Sequence, residues 1–171
     1  MKGIETEIKL IIEKPADELT ECLDGYTESE ILQIYIGSRE VTHRVRRRVY
    51  KDGRTEYTEN KKKRISSMSS IEEEREISES EFESLAQDIE NGTSAVRKTR
   101  KTFLYGGHTV ELDFYPNWKR TCILEIELDS ESETPALPEW IRVVADVTGQ
   151  KQYSNHSMAY SFPAERDIAA E

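Results

Sequence analysis

Residues 3–12 read GIETEIKLII, in which charged and uncharged side chains alternate. If this stretch is a β-strand, Glu5, Glu7 and Lys9 share one face, because successive strand side chains point to opposite faces of a sheet. The other face carries only aliphatic side chains and one threonine. The apolar face predicts contact with a core. The charged face either meets solvent or lines an internal space, and the rest of the chain bears on that choice.

The same alternation recurs along most of the chain. In THRVRRRV, for example, Arg44, Arg46 and Arg48 share a face opposite Val45 and Val49. Short alternating segments bounded by turn residues are typical of strands in an antiparallel sandwich or barrel. The predicted strands are Ile4–Glu13, Ile31–Ile36, Val41–Tyr50, Arg54–Arg64, Glu72–Ile77, Val96–Leu104, His108–Tyr115 and Thr121–Asp129.

At least three helices are predicted between or after these strands. The first begins near Pro15, the second is capped by Ser78 with Glu81 completing a capping box, and the third runs from Pro138 to Gly149. The sequences KDGR at 51–54 and YGGH at 105–108 predict hairpin turns. Helices interleaved with antiparallel strands indicate an α+β fold, here one domain over residues 1–171, with a loose tail from residue 161 onward.

Two geometries fit strands that are charged on one side and aliphatic on the other. In the first, an open antiparallel sheet packs one face on helices and exposes the other to water. In the second, eight antiparallel strands close into a barrel that forms a charged tunnel, with the helices packed outside. The charges are sorted by strand into acidic and basic sets, whereas a solvated face tends to mix them. This sorting favours the barrel.

The overall composition excludes several classes of function. The chain has 171 residues and a formal net charge of −10, which argues against broad binding of nucleic acid or of an anionic membrane. It has no apolar run near the ~20 residues that a membrane helix needs, and no basic-then-apolar start typical of a signal peptide. Cys22 and Cys122 have no metal-site spacing, and we interpret them as reduced thiols in a cytoplasmic protein.

The charged faces predict a particular chemistry if they share one cavity. Glutamates two apart on a strand lie roughly 6–7 Å apart and suit a hard divalent cation, Mg²⁺ or Mn²⁺. Arginine and lysine instead match a polyanion such as a phosphate chain. Acidic and basic strands around one cavity therefore indicate a site for metal-bridged polyphosphate. The sequence has no glycine-rich phosphate loop that would bind the phosphates through backbone N–H groups instead.

Several motifs, taken in order, resemble the CYTH family of triphosphate tunnel metalloenzymes. ETEIK at residues 5–9 resembles the family's ExExK signature on a first strand. The further matches are HRVRRR, YTENK, EEREI, VRKTR, VELDFY, LEIEL and the C-terminal segment GQKQYSNHSMA. The resemblance extends from Glu5 to Ala159, and it implies an eight-stranded antiparallel barrel that forms a tunnel.

The resemblance also implies roles for individual residues. The implied metal ligands are Glu5, Glu7, Glu125 and Glu127. The implied contacts to the triphosphate are Lys9, Arg44, Arg46, Lys61, Lys98, Arg100 and Lys151, with Lys63 as the alternative to Lys61 if the strand register differs. Glu74, Glu76 and Lys9 are the candidate catalytic residues, although the two glutamates could instead pair with arginines in the tunnel.

The function expected from the resemblance is metal-dependent hydrolysis of inorganic triphosphate, or a related triphosphate, to diphosphate and phosphate. The alternatives are a class IV-type adenylate cyclase, a thiamine triphosphatase and a non-catalytic module that binds polyphosphate or nucleotides. The expected partner is a small triphosphate, with Mg²⁺ or Mn²⁺ as cofactor, no nucleic acid and no membrane. The protein is expected to be a monomer or homodimer.

Overall fold

The computed structural model describes residues 2–37 and 41–168. The strands are β1 (Lys2–Glu13), β2 (Thr27–Tyr35), β3 (Thr42–Tyr50), β4 (Thr55–Arg64), β5 (Ser69–Glu76), β6 (Val96–Tyr105), β7 (His108–Phe114), β8 (Thr121–Glu127) and β9 (Val143–Asp146). The helices are α1 (Asp17–Glu21), α2 (Glu79–Ala86), α3 (Asn155–Tyr160) and α4 (Glu165–Ile168), with a single 3₁₀ turn at Lys151–Tyr153.

The first eight strands form a closed antiparallel barrel, which confirms the predicted fold class. Their order around the barrel is β5-β4-β3-β2-β6-β7-β8-β1, and β1 closes it by pairing back onto β5. The first half of β1 pairs with β5 along Lys2–Thr6, while Glu7–Glu13 pair with β8. The short strand β9 adds beside the second half of β1. Closure gives the charged faces a common interior.

Local sequence explains the two tightest hairpins. Between β6 and β7 the turn consists of Gly106 and Gly107, whose φ angles are 58° and 84°. A two-residue hairpin turn of the type that matches strand twist needs positive φ at both positions, which glycine adopts at little steric cost. Between β3 and β4, Gly53 has a φ of 90°, and the Tyr50 N–H donates to the Arg54 carbonyl at 2.8 Å. This turn sets which side chains of β4 share a face with the arginines of β3.

Apolar side chains on the outside of the barrel are covered by two segments. Helix α2 places Phe82 on Val45 and Ile77, and its N-terminus has the capping box predicted at Ser78 and Glu81. The segment between β8 and β9 covers the aliphatic outer face of β7 and β8, with Ile141 in the cluster.

A third apolar cluster fills one end of the barrel. Its inward-facing members lie in, or directly after, strands that carry charged residues further along, and they are Ile11, Tyr35, Val96, Tyr115 and Ile123. The C-terminal segment packs against them through Val147, Met158, Ala159 and Ile168. The Tyr115 hydroxyl donates to Asn155 Oδ1 at 2.6 Å. The C-terminal segment therefore covers this end, and the charged cavity lies above it.

Two predictions at the C-terminal end of the chain are wrong. The third helix, predicted from Pro138, is irregular chain followed by strand β9, because pairing with β1 overrides the helical spacing of its apolar residues. The predicted loose tail is held in place over the part that the structure describes. The Glu165 carboxylate accepts hydrogen bonds from the backbone of Lys119, Arg120 and Thr121, and Ile168 is buried.

The cysteines are both free, Cys22 exposed and Cys122 buried, as the sequence predicts. No helix within residues 2–37 and 41–168 has the length and apolar content needed to span a membrane.

Candidate active site

The interior of the barrel holds a cavity of about 580 Å³ whose walls are charged. Eleven of the thirteen residues that the sequence analysis selected line it. These are Glu5, Glu7, Lys9, Arg44, Arg46, Glu74, Lys98, Arg100, Glu125, Glu127 and Lys151. The charged face of GIETEIKLII therefore lines an internal space, and the alternative of an open, solvated sheet is wrong.

The charged residues of β1 face those of β8 across one pair of strands. Register places Lys9 opposite Glu125 and Glu7 opposite Glu127. Lys9 Nζ lies 2.8 Å from Glu125 Oε1 and 3.9 Å from Glu7 Oε1. The positive charge of Lys9 therefore lies close to both carboxylates and offsets the repulsion between them.

Three arginines follow one another along the inner face of β3. Arg46 Nη2 donates to Glu74 Oε2 at 3.1 Å, and Arg48 Nε donates to Ser29 Oγ at 2.9 Å. The Nε of Arg44 is buried and has no hydrogen-bond partner among the described residues. A guanidinium has five N–H donors, so this row keeps donors available for an anion in the cavity.

The strands β6, β7 and β8 contribute the most deeply buried charges. Asp113 is 1% exposed and is held by Lys98 Nζ at 2.5 Å and by Arg100 Nε at 2.6 Å. Arg100 also pairs with Glu111 and, at 3.3 Å, with Glu125. With three carboxylate partners, Arg100 orders the acidic side chains around it. Buried charges remain stable only when paired in this way.

Three of the carboxylates have raised pKa values. Burial and then the nearby Glu72 raise the pKa of Glu5 to about 8. Burial and the charge of Glu125 raise the pKa of Glu7, while burial and Glu111 raise that of Glu127. Each of these groups lies near another carboxylate, so the wall formed by β1 and β8 carries more negative charge than its own cations neutralise.

The other buried groups shift because of their cationic partners. Burial opposes ionisation of Glu125, but Lys9 and Arg100 hold its pKa well below the usual range. Burial likewise opposes ionisation of Glu72, yet Lys62 and Arg44 lower its pKa to about 2. For Lys98, burial and the charge of Arg100 lower the pKa to about 8.

The prediction that Lys61 faces the triphosphate is wrong in its orientation. Lys61 is exposed on the outside of β4, where its register partners are His43 and Glu73. His43 bonds Glu59 Oε1 at 2.7 Å on the same outer face. Lys63, the alternative, is also exposed and does not line the cavity. The KDGR turn pairs Arg44 with Asn60, and directly opposed residues share a face, so the even-numbered residues of β4 point inward.

Lys62, which lies between the two lysines considered in the sequence analysis, is the inward-facing lysine of β4. Its Nζ lies 2.5 Å from Glu72 Oε1 and 3.9 Å from Glu5 Oε2. The neighbouring inward residue, Asn60, donates from Nδ2 to Glu72 Oε2 at 2.9 Å. Lys62, Asn60 and Glu72 are therefore site residues that the sequence analysis did not assign.

The two remaining candidates lie at the margins of the cavity. Glu76 ends β5, is exposed, and is not among the residues that line the cavity, which argues against the predicted catalytic role. The strand reaches solvent there, although Glu76 has the same parity as the inward-facing Glu74. Lys151 is exposed in the 3₁₀ turn but does line the cavity.

The donor chemistry of the cavity fits a hard divalent cation. Glu5, Glu7 and Glu127 offer only oxygen, and neighbouring carboxylates contribute to their raised pKa values, a charge excess that a cation relieves. In residues 2–37 and 41–168, no three His, Cys, Asp or Glu side chains are grouped closely enough to hold a metal as they stand. Glu125, the fourth implied ligand, is already bound by Lys9 and Arg100.

Comparison with known proteins identifies the fold through solved structures. No protein-family model and no curated protein matches the chain. The crystal structure of the inorganic triphosphatase NE1496 matches with a TM-score of 0.58 and 27% identity, over 94% of this chain and 100% of that one. The chain has a CYTH-like triphosphate tunnel fold.

Two archaeal structures share this CYTH-like tunnel fold at lower identity. The PH1819 protein from Pyrococcus horikoshii OT3 matches with a TM-score of 0.55 and 22% identity, over 75% of this chain and 80% of that one. A conserved hypothetical protein from Pyrococcus furiosus matches with a TM-score of 0.52 and 21% identity, over the same shares of the two chains. These two likenesses concern the fold alone.

Proposed function

We propose that this protein hydrolyses inorganic triphosphate, or a closely related short phosphate chain, to diphosphate and phosphate with a divalent metal ion. The observation that supports this most directly is the charged cavity of the closed barrel, in which a carboxylate wall from β1 and β8 faces the arginine row of β3. The similarity to a structure described as an inorganic triphosphatase, at 27% identity, supports the same reaction class.

The arginine row and Lys62 are the proposed phosphate-binding groups. Arg44 and Arg46 face the cavity from one strand, and Lys62 faces it from the next. Phosphoryl transfer needs little covalent chemistry from a protein, so catalysis rests on positioning and on stabilising charge. A water oxygen forms the new bond to the terminal phosphorus while the bond to the diphosphate leaving group breaks. Fixed cations stabilise the negative charge that develops on that leaving group.

The carboxylates of β1 and β8 are the proposed metal-binding groups. Glu5, Glu7 and Glu127 would hold Mg²⁺ or Mn²⁺, with Glu125 as a further ligand if it exchanges partners. A divalent ion bound there supplies charge neutralisation for phosphate oxygens and acidifies water. Lys9 contributes a positive charge close to both Glu7 and Glu125, which offsets the repulsion between the two carboxylates. Burial opposes protonation of Lys9, but Glu125 and Glu7 raise its pKa, so it stays cationic.

The character of the cavity walls favours an inorganic chain over a nucleotide. Among the described residues that line the cavity, the aromatic side chains are those of Tyr35 and His156. Their ring centroids lie 4.8 Å apart, and Tyr35 is 2% exposed, so the tyrosine ring is already occupied by packing. A nucleobase commonly binds by stacking on a free aromatic face.

A panel of substrates tests the proposal. Phosphate release is measured from triphosphate, ATP and thiamine triphosphate with Mg²⁺ or Mn²⁺, and cyclic AMP is assayed in parallel. We expect kcat/KM for triphosphate to exceed that for ATP by at least about tenfold, which corresponds to ~1.4 kcal/mol in transition-state binding. Cyclic AMP formed from ATP, and lost in Glu5→Gln, would replace this proposal with the cyclase.

A further inference from the structure

Two loops meet at the apolar end of the barrel and are joined by Arg64, the last residue of β4. The first loop, residues 65–68, connects β4 to β5, and the second, residues 147–150, follows β9. Arg64 Nε donates to the Ser66 carbonyl at 2.7 Å, and its Nη2 donates to the carbonyls of Ser67 and Gly149, each at 2.9 Å. Three of the five guanidinium donors are thus used to hold backbone together. We call this pair of loops the latch.

The first loop of the latch is also fixed from outside the cavity. The Glu131 carboxylate, in the segment after β8, accepts from the hydroxyls of Ser66 and, at 2.6 Å, of Ser69. Ser66 Oγ in turn accepts from the backbone N–H groups of Met68 at 3.1 Å and Ser69 at 2.8 Å. Local side-chain to backbone bonds of this kind fix a loop conformation. The loop is therefore preorganised by one serine and one carboxylate.

The closeness of the two loops depends on Gly149. Its φ is +77°, in the region that favours glycine, and a Cβ placed there would lie 2.9 Å from Ser67 Cβ and 3.1 Å from the Ser67 carbonyl oxygen. A side chain at this position would meet both a steric clash and backbone strain. The two loops therefore leave no room for a side chain at position 149.

The latch completes the cover over one end of the cavity. At that end, β1, β2, β6 and β8 carry the apolar cluster of Ile11, Tyr35, Val96 and Ile123, covered by the C-terminal segment. The ends of β4 and β5 have no part in that cluster, and the latch lies there instead. Residues of both loops line the cavity, next to Lys62.

We propose that the latch makes the cavity blind at this end and thereby limits cleavage of a phosphate chain to bonds near the chain end. A short chain such as triphosphate enters from the opposite end and lies against the cations. A linear polyphosphate of tens of units can likewise enter by its end, but an internal bond reaches the same position only if the chain passes through both ends of the cavity, and the latch blocks that passage. Arg64 and Glu131 are then specificity-determining residues, and this inference rests on the proposed triphosphatase function.

Loosening the latch at either anchor tests the proposal. Glu131→Ala removes the anchor outside the cavity, and Arg64→Met removes the link between the loops while keeping an unbranched side chain. Glu139→Ala, an exposed acid in the same segment as Glu131, is the matched control. For each protein, kcat/KM is measured with triphosphate and with linear polyphosphate of tens of units, and thermal unfolding confirms that the variant is folded.

We expect the ratio of polyphosphate to triphosphate kcat/KM to rise at least about tenfold in both Glu131→Ala and Arg64→Met. In Glu131→Ala the triphosphate value itself should stay within about threefold of the parent, because Glu131 does not line the cavity. Glu139→Ala should leave both values unchanged. If neither latch variant changes the ratio, the latch does not limit cleavage to chain ends.

A binding measurement separates failure of this inference from failure of the proposed function. The same comparison is made by calorimetry in a Glu127→Gln background, where turnover is expected to stop. Affinity for polyphosphate relative to triphosphate should again rise at least about tenfold when Glu131→Ala is added. If no protein hydrolyses any phosphate, the triphosphatase proposal is wrong, and these relative affinities alone support or overturn the latch.

Discussion

Lys61 and Lys62 are adjacent in sequence but face opposite sides of the barrel wall, so substituting each in turn tests the register of β4 directly. Lys61 is exposed on the outer face, whereas Lys62 lines the cavity beside Glu72 and Glu5. The two substitutions Lys61→Ala and Lys62→Ala remove the same charge and the same side-chain atoms. Any difference between them therefore reports the side of the wall on which the charge lies.

The expected size of the effect follows from the contacts of Lys62. A hydrogen bond to a charged group contributes about 1.5–3 kcal/mol. If Lys62 holds a phosphate oxygen in the transition state, its loss lowers kcat/KM for triphosphate roughly 10- to 150-fold, at about 1.4 kcal/mol per factor of ten. Glu72 would also lose a partner 2.5 Å away, which raises its pKa and weakens the order of that wall. Lys61→Ala should change kcat/KM by less than about twofold, as expected for an exposed charge.

The assay is steady-state phosphate release from triphosphate with Mg²⁺, with thermal unfolding of both variants as the control for folding. A Lys62→Arg variant, which keeps the charge, should retain more activity than Lys62→Ala. Equal effects of Lys61→Ala and Lys62→Ala, or a larger effect of Lys61→Ala, would refute the inward orientation of Lys62. If Lys62→Ala loses activity because it unfolds, the comparison is made with Lys62→Arg, which keeps the charge. Lys62→Arg should then be folded and active.

Two further predictions concern the carboxylates. Glu127→Gln should abolish turnover and leave the melting temperature unchanged or raised, because burial and Glu111 already disfavour the charge of Glu127. A chelator should likewise abolish the activity of the parent protein, and added Mg²⁺ or Mn²⁺ should restore it. Turnover at the parent rate in Glu127→Gln would contradict the metal assignment. Glu165→Ala should lower stability by about 1–2 kcal/mol after allowance for solvent screening, because its carboxylate accepts three backbone N–H bonds that hold its pKa at about 2 against the burial that opposes ionisation. The pKa of Glu165 in the folded protein lies below the ordinary value of 4.5, so this stabilisation is present above pH 4.5 and is lost as pH falls towards 2. Chemical denaturation should therefore show a smaller difference in the free energy of unfolding between parent and Glu165→Ala at pH 2 than at pH 7. Asp167→Ala, at an exposed position, is the control, and its free energy of unfolding should stay within about 0.5 kcal/mol of the parent.

The strands and the character of their faces could be predicted from the sequence because a strand imposes a strict two-residue period. GIETEIKLII fixes Glu5, Glu7 and Lys9 on one face whatever the strand pairs with. The same period correctly places the arginines of β3 and the glutamates of β8. The period leaves open only which of the two faces points inward, and at Lys61 the predicted face is wrong.

The register of β4 could also be predicted from the sequence, from the position of the turn that precedes the strand. If Tyr50 and Arg54 close the KDGR turn, as the structure shows, Arg44 must lie opposite Asn60, and Lys62 follows on the same face. The run of three lysines at 61–63 conceals this, because every register places a lysine inward. Only the position of the turn distinguishes them, since a shift of one residue moves all side chains to the other face.

Whether the charged faces met one another was decided by the tertiary structure. Alternation is identical in an open sheet and in a closed barrel, and only the long-range pairing of β1 with both β5 and β8 turns a charged surface into a cavity. The same is true of β9, whose apolar spacing fits a helix until β1 offers it an unpaired edge. The sequence by itself determined which side chains share a face, because that is a property of each strand. Enclosure, ion pairing and the latch depend on segments far apart in the chain, and the free energy that selects them comes from contacts that no local pattern contains.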